Sequence, residues 1–418
     1  MSERSKVQHS KCCVRNVPRV RIPNSPPKRL KSLRLQPFIY FSNYGGLIIM
    51  RSQTSYPATV GLEIFETIKV FWEKGIFDDY SEKHFIIRAI NNDVSYFKEL
   101  FLRKNIKEIN PTPFPWNFIA NLNVKTVNLM QCFGNDVIEN FFRNQFAAGK
   151  NNYNENQFFE ALSEFYLLTY FANFGPAKLT EAIYEPRLVD SDKNPEARFV
   201  YGNDVVLDIE IKTPNFPDRN LLENFIIPTY LLNDKGREKL SNFCNTNNIN
   251  CHMPRILKIK DFINYTGEKF ADISSANHIN LLVINWTSTD LSETELFEPT
   301  TLLCNPKNGL FRNKDVALKL GISEEALSKI SAIFFYILPE GCLLFNDFRY
   351  LFATKQYKII VNPFAKDVSA DKIHELTHLA VHFPEELEDE RFAFFSLDNR
   401  DWDSELREMN NIINENTL

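Results

Sequence analysis

Apolar and polar positions alternate with a period of two over 205–212. Val205, Leu207, Ile209 and Ile211 point one way, and Asp208, Glu210 and Lys212 point the other. That period predicts a half-buried strand. The run Glu196–Tyr201 precedes it, and Gly202, Asn203 and Asp204 between the two predict a hairpin. A three-residue loop sets Tyr201 opposite Val205, Phe199 opposite Leu207, Arg198 opposite Asp208 and Glu196 opposite Glu210. A two-residue loop would instead turn Glu196 onto the apolar face. Directly opposed side chains have Cβ atoms roughly 5 Å apart, and like charges there destabilise a sheet. The Glu196–Glu210 pair therefore calls for a cation, and its oxygens suit a hard divalent ion such as magnesium. Lys212 lies two residues past Glu210 on the same face.

Upstream the spacing is helical. Ile64, Phe65, Ile68, Phe71 and Trp72 share one face, and His84–Leu102 and Val137–Phe146 repeat the pattern around Pro111, Pro113 and Pro115. Residues 50–150 thus read as a helical N-terminal region, with Trp72 and Trp116 as core residues. A strongly apolar helix over Phe158–Phe174 ends at Gly175-Pro176. Glu160 and Glu164 share a face of it. Glu160 reads as part of a solvated stripe. A carboxylate in so apolar a helix is costly unless paired or metal-bound, which singles out Glu164. Ala182–Val189 reads as the first strand, followed by a turn over Asp190–Asn194. Asp190 or Asp192 would replace Glu196 as the metal-binding acid if the hairpin register slips. Asn280–Trp286 reads as a buried strand beside the hairpin. Ala332–Leu338 and Tyr357–Val361 read as further strands, in a sheet extension or a small C-terminal α/β unit over 291–418.

Composition places the chain among globular proteins, with 44% hydrophobic and 24% charged residues in 418. No apolar run approaches the ~20 residues that a membrane helix needs. Seven cysteines at irregular spacing imply reduced thiols and a cytoplasmic setting. Cys244 and Cys251-His252 make no complete zinc pattern. Charge is uneven. Ten Lys or Arg, one Glu and five Pro fall before residue 38, so the remainder, with 38 basic and 52 acidic residues, carries −14. Residues 1–49 are expected to be a disordered basic segment. The run Arg19-Val20-Arg21-Ile22-Pro23-Asn24-Ser25-Pro26-Pro27 resembles the translated 3′ half of a transfer-RNA gene, so translation is expected to start at Met50. A gene abutting a transfer-RNA gene suits a mobile element or host defence in a prokaryote, by association.

Pro195-Glu196, a hairpin, then Glu210-Ile211-Lys212 resembles the PD-(D/E)XK, or restriction-endonuclease-like, nuclease superfamily. The resemblance covers about Asn151–Thr287, within a nuclease core expected over 151–290. It implies a mixed α/β sheet core flanked by helices, with a glutamate on the preceding helix, where Glu164 stands. It departs from the family pattern in having Glu196 where aspartate is usual. The implied activity is Mg2+- or Mn2+-dependent endonuclease cleavage of phosphodiester bonds, chiefly in DNA. Glu196, Glu210 and Glu164 would hold the metal, with the Ile211 carbonyl completing its shell. Lys212 would orient the attacking water.

Basic residues downstream, Lys235, Arg237 and Lys239, then Arg255, Lys258, Lys260 and Lys269, suit nucleic-acid phosphates. Two other functions stay open. One is an inactive nuclease fold that binds nucleic acid or protein. The other is a zinc protease through His374-Glu375-Leu376-Thr377-His378, an HExxH pattern that presents two imidazoles and a base when helical.

Overall fold

A computed structural model describes residues 65–103, 109–174, 178–188, 193–202, 204–214, 225–227, 232–251, 256–286, 296–337, 357–387, 393–395 and 402–416. The basic segment 1–49, the Asp190–Asp192 alternative and Arg255 lie outside the described residues. So does His252.

The chain is mixed α/β. Five helices come first: α1 (Glu66–Glu73), α2 (Phe85–Ile90), α3 (Val94–Arg103), α4 (Phe114–Phe133) and α5 (Asn135–Phe141). The long helix α6 (Glu155–Phe174) leads into β1 (Leu179–Tyr184), β2 (Ala197–Tyr201) and β3 (Val205–Lys212). After β4 (Phe225–Ile227), α7 (Asp234–Thr246), β5 (Asn250–Cys251) and α8 (Ile256–Gly267) comes β6 (His278–Asn285). Then follow α9 (Phe297–Cys304), α10 (Lys314–Lys319), α11 (Glu324–Lys329), β7 (Ala332–Tyr336) and β8 (Tyr357–Val361). The described chain closes with α12 (Ala370–Thr377), β9 (Val381–His382), β10 (Ala393–Phe395) and α13 (Asp403–Asn416).

Seven strands form the main sheet in the order β1-β2-β3-β6-β7-β8-β9. β1, β2 and β3 are an antiparallel meander, whereas β3, β6 and β7 run parallel. The β2–β3 register sets Tyr201 against Val205, Phe199 against Leu207 and Arg198 against Asp208, as the three-residue loop predicts. Asp204 in that loop takes a left-handed φ of +57°. The first strand is displaced from the expected Ala182–Val189 to Leu179–Tyr184. β7 and β8 extend the main sheet.

Helices cover both faces of the sheet. Val205, Leu207, Ile209 and Ile211 join a core built with α1–α6 and α12. The opposite face of β6, β7 and β8 packs on α8–α11 through Leu282, Ile284, Ile333, Phe335 and Ile360. This second layer corrects the half-buried reading of β3: Asp208 and Glu210 are both 0% exposed. The cause is the parallel partner β6, since a parallel crossover lays a helix over the face that an isolated hairpin would leave wet.

The N-terminal helices and α6 share one aromatic core. The ring of Phe85 meets those of Phe97, Phe114, Phe118, Phe158 and Phe159, so α2, α3, α4 and α6 are packed as a unit. Trp72, expected inside, is 43% exposed. Glu160, expected on a solvated stripe, is half-buried. A separate cluster joins α7 to α13 through Leu240, Cys244, Trp402, Met409 and Ile413. No described helix is long and apolar enough to cross a membrane.

Candidate active site

Glu210 is the centre of a charged cluster. Its Oε1 accepts from Lys212 Nζ at 2.5 Å and from Lys269 Nζ at 2.7 Å. Its Oε2 is buried and has no hydrogen-bond partner among the described residues. Glu196 immediately precedes β2, and continuing the register places it across from Glu210. Burial, then repulsion from Glu210, raises the Glu196 pKa to about 7, against the opposing pull of Lys269 and Lys212. Two carboxylates facing each other in a partly dry site cannot both ionise freely.

Glu164 reaches the cluster from α6. Its Oε1 accepts from the Tyr184 hydroxyl at 3.2 Å. Burial and the charge on Glu196 raise its pKa well above the usual carboxylate range; the Tyr184 hydrogen bond opposes this, and Glu210 and Glu185 add to it. Next to it, Ser163 shares a hydrogen bond with the Tyr336 hydroxyl and accepts another from Asn285 Nδ2 at 3.2 Å. Those bonds tie the middle of α6 to the last residues of β6 and β7. The site therefore lies at the carboxyl ends of parallel strands, where open α/β sheets characteristically bind ligands.

A cationic half adjoins the acidic one. Burial lowers the Lys212 pKa, but attraction to Glu210, the hydrogen bond between them, and Glu196 outweigh it, so the net shift is upward. Lys212 is thus held as an ammonium. Lys269 follows α8, with its backbone amide bonded to the Thr266 carbonyl at 3.0 Å. The ring of Tyr265, 41% exposed, has the ammonium groups of Lys212 and Lys269 each 4.8 Å from its centroid and that of Lys193 at 5.1 Å. Gly267 allows this placement. A Cβ there would stand 2.5 Å from Ala326 Cα on α11, so only glycine lets α8 lie so close.

Two residues before Glu210, in the middle of β3, Asp208 holds a second buried ionic group. Arg198 grips Asp208 with two bonds of 2.7 Å, and His278 Nε2 lies 2.9 Å from the same carboxylate.

Of the residues singled out in the sequence, Glu164, Glu196, Glu210 and Lys212 come together. Lys269 joins them, which corrects its reading as a surface phosphate contact: it is 6% exposed and ion-paired to Glu210. Lys235, Arg237 and Lys239 lie on α7, where Arg237 pairs with Asp234 at 3.2 Å and Lys239 with Glu415 at 3.7 Å. Lys258 and Lys260 lie on α8, the helix that carries Tyr265. Glu185, Tyr184, Lys193 and Tyr265 were missed. Only the four-residue spacing of Tyr265 and Lys269 at a helix end marks any of them in the sequence.

The HExxH reading fails on geometry. α12 ends at Thr377, and His378 caps it with a left-handed φ of +53°. His374 and His378 therefore do not share a helix face. Instead His374 Nδ1 bonds to the Leu379 carbonyl at 2.7 Å, and Glu375 pairs with Lys372 at 2.9 Å. The pattern serves as a helix end. Cys244 and Cys251 are both free cysteines. Among the described residues, no three His, Cys, Asp or Glu side chains form a ready-made metal-ligand group. No protein-family model, curated protein or solved structure matches the chain.

Proposed function

We propose that the chain is a metal-dependent nuclease of the PD-(D/E)XK, restriction-endonuclease-like type, hydrolysing phosphodiester bonds in DNA. One observation carries the reading: the β2–β3 register, continued one residue past Ala197, sets Glu196 across from Glu210, with Lys212 against Glu210, and both Glu196 and Glu210 raise the pKa of Glu164. The helix that bears Glu164, then Glu196 just ahead of β2 and Glu210 on β3, follow the order the resemblance implies.

The chemistry of the donors, three carboxylates, supports a hard divalent cation, although among the described residues they do not already stand as a ligand group. Three carboxylates repel one another, and Glu210 Oε2 is buried without a partner among the described residues, which leaves one oxygen to give. Glu164, Glu196 and Glu210 would hold magnesium or manganese. The ion would neutralise the scissile phosphate and acidify a bound water. Lys212, held charged, donates to the attacking water or to the phosphoryl oxygens rather than taking a proton. Glu196, with a pKa of about 7, exchanges its proton across neutral pH.

The test is cleavage of plasmid and single-stranded DNA with magnesium or manganese, comparing wild type with Glu210→Ala and Lys212→Ala while circular dichroism checks folding. Metal-dependent cutting lost in both variants is expected. Retained cutting by both would sink the proposal. A second reading, a nuclease fold that only binds, draws on the two lysines that already neutralise Glu210 Oε1. Binding without cleavage over a range of metals would favour it.

A further inference from the structure

We propose that the Lys269 ammonium holds the place of a second metal ion, so that the site takes one divalent cation per chain. The inference rests on the metal-dependent reading above and fixes how many ions that reading uses.

A two-metal site sets its ions about 3.5–4 Å apart, close enough for one carboxylate to bridge them with an oxygen on each. The bridging acid must therefore offer both oxygens. Glu210 does not. Its Oε1 already accepts from Lys212 at 2.5 Å and from Lys269 at 2.7 Å. Only Oε2, buried and without a partner among the described residues, is left to give. Glu164 is also partly engaged, since its Oε1 holds the Tyr184 hydroxyl at 3.2 Å. An ammonium and a divalent ion seek the same lone pairs, and at contact distance they repel one another. While an ammonium stays on Oε1, a second ion finds neither a ligand nor a favourable field there.

The two lysines differ in how firmly they stay. Lys212 is the last residue of β3 and its side chain is 21% exposed, so its ammonium can swing toward water or a phosphate. The Lys269 side chain is only 8% exposed. Its backbone is tied to the end of α8 by the bond to the Thr266 carbonyl, and α8 is seated on α11 through the close approach at Gly267. The Tyr265 ring stands 4.8 Å from its ammonium. A buried ammonium that left Glu210 would give up a carboxylate without gaining water, which is the costly way to break an ion pair. Lys269 is thus a fixed charge beside Oε1. An ammonium donates hydrogen bonds but has no lone pair and no coordination sphere, so it neutralises the carboxylate without activating a second water.

Titration of the full chain with Mn2+, free of nucleic acid so that nothing is cut, counts the ions by calorimetry. Electron paramagnetic resonance of the same samples separates an isolated ion from a close pair. Wild type is compared with Lys269→Met and Lys212→Met, and Lys269→Gln replaces the methionine variant if circular dichroism shows that it does not fold. Wild type should bind one Mn2+ with the spectrum of an isolated ion. Lys269→Met should bind two, with the broadened spectrum of a spin-coupled pair. Lys212→Met should stay at one, because Lys269 remains. Two ions on wild type would overturn the inference and leave the metal-dependent reading standing. A count of one in the Lys269 variants, or of two in Lys212→Met, would also overturn it, since Lys269 would then not be what excludes the second ion. A wild type that binds none would overturn the inference and the metal-dependent reading together.

Discussion

Replacing Lys269 with methionine removes one ammonium from the site and keeps most of the side-chain volume. Lys269 Nζ lies 2.7 Å from Glu210 Oε1, and the Glu210 carboxylate is fully buried. At an effective dielectric of about 20, a contact of that length carries a gross attraction of about 6 kcal/mol. Removing one partner of a buried pair costs about 3–5 kcal/mol net. Here the loss is smaller, because Lys212 stays on the same oxygen at 2.5 Å. The expected destabilisation at neutral pH is about 2 kcal/mol. Urea unfolding of Lys269→Met, Glu210→Gln and the double variant measures it as a cycle. With the carboxylate gone, the lysine replacement should cost less than about 0.5 kcal/mol. The same change acts on function. Lys269 restrains the rise of the Glu196 pKa, now at about 7, so losing it moves that pKa higher. The acid limb of metal-dependent cleavage then shifts to higher pH. Equal costs in both backgrounds, or a cleavage profile that moves toward acid, would refute the reasoning.

Glu196→Gln should stabilise the metal-free protein at alkaline pH. The folded pKa of about 7 lies above the ordinary 4.5, so the carboxyl's contribution is present below pH 4.5 and lost as pH rises through 7. The glutamine variant should escape a loss of about 3 kcal/mol at most, read from unfolding curves across that range. His84 acts in the opposite sense. Burial holds its pKa at about 4, below the ordinary 6.5, against the hydrogen bond to the Phe146 carbonyl. Its contribution is present above pH 6.5 and lost as pH falls to 4, so His84→Asn, whose amide oxygen replaces ring Nδ1 as the helix-capping acceptor, should flatten the acid limb of stability by about 3 kcal/mol. His378→Gly should raise stability by about 1 kcal/mol, because glycine takes the left-handed cap without strain. A fall in melting temperature would show that the His378 side chain does more than end a helix.

The hairpin was legible because two local rules agreed. Strand period and loop length together allow one register that keeps Phe199 and Tyr201 on the apolar side, and the β2–β3 ladder has that register. Glu164 was legible because an acid in so apolar a helix needs a reason. The burial of Asp208 and Glu210 was not legible. It comes from β6 and α8, far along the chain, and alternation alone reads the same whether the polar side meets water or ions. For the same reason Lys269 resembled its neighbours in a basic stretch until the turn after α8 carried it inward. HExxH misled in the other direction, since a helix that stops one residue early cannot align two imidazoles.

The Arg198–Asp208–His278 group never meets a substrate in the proposed reaction, yet it governs how reproducibly the site is made. A one-residue slip of β2 on β3 would throw the apolar side chains to the wrong face. A two-residue slip would keep every face correct and is the subtler error. It would take Arg198 away from Asp208 and leave that carboxylate buried beside His278 alone, at a cost of about 3–5 kcal/mol. The buried ionic lock therefore acts as a proofreading key during folding. It rejects mispairings that hydrophobicity tolerates, and so fixes Glu196 against Glu210, the next position on the same face two residues along the same two strands.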